Sequence, residues 1–324
     1  MLLFILWSQI ASGPTRAELE EKLAVARDTE RIEILNQLAE LLVASDPTKS
    51  LQYAEDARTQ STELRDPLLK ARALKNMGMA NQVMGRYEEA QRSLEQALLL
   101  LDPETSPLIL AECYTTLGLV AENQAHYEQA LDYHQQAIQR LAKLETPESL
   151  AIQAKAFNGM GIVHYRLGNI QRTLDYFEKS LAVHRRIGNA KGIAGGLNNT
   201  GIMLKNLGKY DEALRRYEEA LAIQHTQNNY KGMADVLNNM AVLHWLKKDF
   251  ASCLATHRRS FDMYEQAQDP YGMGLSLGNI AHILGEMGRF SEAEQALTQA
   301  FDKADEIGSK ELKRNLTKSK STLA

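Results

Sequence analysis

The sequence predicts an all-α protein, a solenoid of about seven stacked helix pairs. Three observations carry that expectation. First, a small or apolar anchor returns at Leu38, Gly78, Gly118, Gly161, Gly201, Ala241 and Ala281, every step being 40 residues except the 43 from Gly118 to Gly161. Second, apolar residues around each anchor recur at helical spacing. Third, a turn residue followed by an aromatic or isoleucine divides each unit in two, as in Gly85-Arg-Tyr87, Gly208-Lys-Tyr210 and Gly288-Arg-Phe290.

The elements follow in chain order. Residues 1–15 form a leader, with an apolar run from Leu2 to Trp7 and small residues Ala11, Ser12 and Gly13 behind it. It reads either as a truncated export signal or as the apolar start of a cytosolic chain, because it lacks a positively charged opening and is short for a signal core. It is also far short of the roughly 20 residues that span a bilayer. Cytoplasmic and exported locations both stay open, and no integral membrane span is expected.

The array covers 16–310, with repeats near 31–70, 71–110, 111–153, 154–193, 194–233, 234–273 and 274–310; the first is divergent. Each unit is counted from seven residues before its anchor. Positions 4, 7, 8 and 11 of helix A share one face at 100° per residue. The small residue at position 8 lets helix B approach. Gly85, Gly168, Gly208 and Gly288 end helix A in the left-handed region where glycine is favoured. Position 17 (Tyr87, Tyr127, Ile170, Tyr210, Phe250, Phe290) opens helix B, and small residues at 20 and 27 mark its contact face. The three extra residues of the 43-residue step fall near Glu145-Thr-Pro147. Residues 311–324 read as a polar cap or tail.

Composition narrows the function classes. The chain has 44% hydrophobic and 24% charged residues and a net charge of -4, with no basic run before Lys310 to Lys320. Nucleic-acid binding needs a concentrated Lys/Arg footprint, so no nucleic-acid partner is expected. Two cysteines, Cys113 and Cys253, make neither a disulfide framework nor a metal cluster. No catalytic, metal or cofactor motif is present. His164 and His244 at position 11, and His134 and His257 at position 24, stand where bulky core residues belong. A non-enzymatic chain is expected.

The anchor at 8, aromatic at 17, alanines at 20 and 27 and bulky residue at 24 resemble the tetratricopeptide repeat (TPR). The 40-residue variant resembles the repeats of Pins/LGN-type scaffolds and of TPR sensor regions in bacterial signalling proteins. The resemblance covers about residues 31–310. It implies a right-handed superhelix whose concave groove is lined by positions 2, 5, 6, 9, 12 and 13 of helix A.

Those positions collect side-chain amides. Position 6 carries Asn36, Asn76, Asn199, Asn239 and Asn279, and position 5 adds Asn158, Asn198 and Asn238. A carboxamide both donates and accepts, so a column of them suits a peptide backbone; the resemblance implies such a ladder, while bonding between neighbouring repeats is the structural alternative. Trp245 lies on the same arc, as do Lys155, Arg166, Lys205, Asn206, Asp235 and His282. Their mixed charges indicate neither an acidic nor a basic ligand. The expected function is a protein- or peptide-binding scaffold, its groove strongest in repeats four to six; the second reading is the sensor region of a larger signalling system. Neither a ligand nor an oligomeric state follows from the sequence.

Overall fold

A computed structural model describes residues 14–323, and every regular element among them is an α-helix. A short helix, α1 (Arg16–Val25), opens the chain, its first turn closed by Thr15 and Glu18, each accepting from the other's backbone N–H. Then come α2 (Asp28–Leu42), α3 (Pro47–Glu63), α4 (Pro67–Val83), α5 (Tyr87–Leu100), α6 (Pro107–Asn123), α7 (Tyr127–Arg140) and α8 (Pro147–Arg166). The remainder is α9 (Ile170–Arg186), α10 (Ala190–Asn206), α11 (Tyr210–Thr226), α12 (Tyr230–Leu246), α13 (Phe250–Gln266), α14 (Pro270–Glu286), α15 (Phe290–Glu306) and α16 (Lys310–Leu323). Even-numbered helices from α2 are the A helices, and odd-numbered helices from α3 are the B helices. Of the expected leader at 1–15, residues 1–13 lie outside the described residues, and Thr15 caps α1.

Two compact units are present, Met1–Leu167 and Gly168–Ala324. In the first, successive helices from α1 to α8 pack on one another, and α2, α4, α6 and α8 also touch in series. In the second, successive helices from α9 to α14 do the same, α14 packs on α15 and α16, and α10 touches α12. A helices therefore lie side by side through the first unit; in the second, α14 packs on α16 and α10 touches α12, with no such packing between α12 and α14.

Local chemistry accounts for the boundaries. Every B helix from α5 to α15 begins on the residue at position 17, as the pattern requires. A helices start earlier than a count from the anchors gives, at Pro67 rather than 71 and at Pro270 rather than 274. The reason is a capping signal: Asp66 accepts from the N–H of Leu68 and Leu69, and Asp269 from Gly272, each ahead of a proline that tolerates the first helical position. Asn189 and Asn229 cap α10 and α12 without a proline. The three extra residues near Pro147 lengthen α8 to 20 residues against 17 in α6 and α10.

Gly85, Gly168, Gly208 and Gly288 take φ between 72° and 76°, as expected. Equivalent turns without glycine place Ala125 at φ 61° and Lys248 at 59°. The anchors also behave as read: a methyl group on Gly118 would collide with the His134 ring, and one on Gly201 with Tyr217. The polar stretch after Ser309 forms α16, which continues the stack. Leu312 and Leu316 of α16 are buried beside Ala300 and Ala304, over Gly274 and Gly278.

Candidate functional site

Helix A packing decides where the amide column goes. The Asn76 amide donates to the backbone oxygen and to Oδ1 of Asn36, both at 3.1 Å, and Asn36 donates to the Leu69 carbonyl at 3.4 Å. Their exposures are 1% and 0%. Asn239 likewise donates to Asn198 Oδ1 at 2.8 Å. At Asn36, Asn76 and Asn239, position 6 therefore faces a neighbouring A helix rather than an open groove. Asn36 and Asn76 are staples between repeats, which is a correction to their placement on a peptide-contacting surface.

In the first unit, Lys155 and Arg166 are exposed and Asn158 is half-buried. Lys155 borders a narrow cleft of about 110 Å³ walled by Met79, Val83, Leu119 and Ile152. Burial raises the Glu122 carboxyl above its ordinary pKa, with Arg166 opposing the rise. In the second unit, Asn206 is exposed, and Lys205 and Asn199 are half-buried. Asp235 accepts from the Tyr264 hydroxyl at 2.6 Å. Asn238 donates to Tyr264 Oη at 3.2 Å, and its Oδ1 lies 3.1 Å from His257 Nδ1. Asn238 thus bonds to helix B of its own repeat.

Three of the expected residues do come together. Trp245 of α12 and Asn279 and His282 of α14 line a cleft of about 290 Å³, joined by Val242, Ile283 and, from α13, Cys253 and His257. Trp245 is 41% exposed. The site lies between repeats six and seven, at the end of the stretch the sequence favours, with Trp245 inside that stretch. Burial lowers the pKa of His257 to about 4, helped by neighbouring His282, so the ring is neutral at pH 7. Burial pushes the Cys253 thiol up to about 11, which makes it a poor nucleophile. The lining thus offers apolar walls, one amide, two imidazoles and no carboxylate. That equipment suits recognition.

Cys253 and His257 were not expected at the cleft. They occupy positions 20 and 24, which are core positions in the other repeats; both are buried here too, and they form part of the wall of the cleft. Position alone carries no such signal.

Short antiparallel helix pairs stacked in register, with a cleft between A helices, define a helical-repeat interaction scaffold. The chain belongs to the tetratricopeptide-repeat family, whose model matches residues 69–143, 152–224 and 232–306. The apo form of RapI superposes with a TM-score of 0.74 at 12% identity, covering 88% of this chain and 79% of that one. The apo form of the quorum sensor NprR from B. thuringiensis gives 0.70 at 14% identity, covering 93% and 84%. The human protein O-mannosyl-transferase TMTC2 is 30% identical over 82 residues. That match takes in 25% of this chain and 9% of TMTC2. The fold is one that binds proteins as a scaffold, and among the described residues no helix is long and apolar enough to cross a membrane.

Proposed function

We propose that this chain is a non-catalytic scaffold that binds an extended segment of another protein along the A helices of its second unit, centred on the cleft at Trp245. The carrying observation is the half-exposed Trp245 indole inside a concave cleft, with the Asn279 amide beside it. A large apolar ring held open to solvent in a recess is the usual anatomy of an interaction hot spot. Asn279 is the position-6 amide that stays exposed, so it remains available to a peptide backbone. Lys205, Asn206 and Asp235 flank the path and would tune selectivity.

Panning a random peptide display library on the full chain, followed by calorimetric titration of a selected peptide, tests this. Trp245→Ala is expected to weaken binding by about 30-fold, the size of a hot-spot loss near 2 kcal/mol. Because Trp245 is partly exposed, the melting midpoint should move little. Unchanged affinity in Trp245→Ala would exclude the cleft as the binding site.

A further inference from the structure

The polar groups behind the cleft form a chain whose donor and acceptor roles are dictated from one end. The Asp235 carboxylate can only accept, so the Tyr264 O–H points at it. With its proton committed, Tyr264 Oη must accept from Asn238, which forces the Asn238 NH2 toward Tyr264. The Asn238 oxygen therefore faces His257, and His257 Nδ1 must carry the ring proton to meet it at 3.1 Å. The remaining ring nitrogen, Nε2, is then a bare acceptor. His257 lines the cleft beside the apolar Val242, Trp245 and Ile283, with Asn279 and His282 as the other polar side chains of the lining. The device is particular to repeat six: His134 holds the same position in repeat three, but Thr115 and Leu141 stand where Asn238 and Tyr264 would be needed.

From this geometry we infer that the cleft is an anchor pocket for a tyrosine or tryptophan side chain of the bound peptide, whose O–H or N–H donates to His257 Nε2. The inference rests on the proposed binding role and specifies its ligand. Elimination supports the choice. A cleft of about 290 Å³ lies at the lower edge of the ~300–1,000 Å³ of whole small-molecule sites, a size for one large side chain. Serine, threonine and asparagine would leave it unfilled. Phenylalanine and leucine would bury Nε2 without a partner, a penalty that polar-lined pockets use for discrimination. Glutamate and aspartate would set acceptor against acceptor. Lysine and arginine would meet no carboxylate on the lining. Burial keeps His257 neutral at physiological pH, so the acceptor persists. Asp235, Tyr264 and Asn238 are positioning residues, since they act through the His257 tautomer.

Two measurements decide it. In the full chain labelled with 15N-histidine, the ring nitrogen shifts of His257 report its tautomer. Protonation at Nδ1 is expected, and protonation at Nε2 overturns the inference. Titration with N-acetyl-tyrosinamide and N-acetyl-phenylalaninamide, followed at the Trp245 indole N–H, should show a 3- to 10-fold preference for the tyrosine amide, the range one net hydrogen bond supplies. Tyr264→Phe frees the Asn238 amide to turn over, and it should erase that preference while both amides still bind. Equal affinity for the two amides in the wild type, with both lost in Trp245→Ala, overturns the anchor and leaves the cleft as the binding site. Shifts confined to residues away from the cleft overturn both.

Discussion

At Ala125 the backbone sits at φ 61°, in a turn where four sister repeats carry glycine. An L-residue with a β-carbon pays roughly 1–2 kcal/mol there. Glycine would cost about 0.5–1 kcal/mol more unfolded-chain entropy. The strain term is the larger, so Ala125→Gly should stabilise the first unit modestly, raising its melting midpoint by about 1–2 °C. A lower midpoint by calorimetry would show that the turn is relaxed as it stands. The same comparison explains why glycine recurs at this turn: it relieves local strain. At position 8 glycine has a different duty, as Gly118 shows, since space for a helix B side chain is what it supplies.

Among the elements, α16 shows how a polar stretch can close a stack. Its sequence is rich in lysine and serine, yet Leu312 and Leu316 fall one turn apart and drop into the space above Gly274 and Gly278. Lys313 pairs with Asp305 of α15. Replacing either leucine by alanine removes a buried side chain and should cost about 2–5 kcal/mol. Hydrogen exchange should then rise first in α14 and α15, the helices α16 covers; uniform protection would mean α16 is dispensable. The B helices were largely legible in the sequence, because position 17 marks each B-helix start. A count from the anchors starts the A helices about four residues late, because the caps at Asp66 and Asp269 lie ahead of the counted unit. Helix α1 was not legible, since its 10 residues lie ahead of the first repeat and outside the 40-residue register. The candidate site was legible only in part. An angular count places Asn36, Asn76 and Trp245 on one arc, but it does not say which part of that arc the next A helix covers. Packing between α2 and α4 took the asparagines, and the gap between α12 and α14 left the tryptophan. The role of His257 depends on Asn238 and Tyr264, residues brought together only by the antiparallel pairing of α12 and α13.

For the molecule as a whole, each unit contains one buried imidazole at position 24 whose pKa burial lowers, and each adds to its response to acid. In the first unit, neither nitrogen of His134 has a partner among the described residues, and the ring is enclosed beneath Gly118 and Gly159. In the second, His257 is 4% exposed. Burial lowers both to about 4 from an ordinary value of 6.5. As pH falls from 6.5 to 4, the unfolded chain takes up protons that the folded chain refuses. Stability is therefore complete above about 6.5 and is lost on the way down, by up to roughly 3 kcal/mol per histidine at the bottom of the window. The carboxylates whose pKa is lowered act in the same direction at lower pH, Asp249 and Asp269 below their ordinary 3.8 and Glu18 and Glu20 below 4.5. Leu94 fills the same position over Gly78 in repeat two, which makes His134→Leu a substitution the fold already accommodates. That variant should match the wild type or exceed it at pH 7.5, and it should hold first-unit stability nearly constant to pH 4.5, where the wild type weakens. Urea denaturation across that range distinguishes the cases: if the variant and the wild type decline in parallel, the acid sensitivity belongs to other groups.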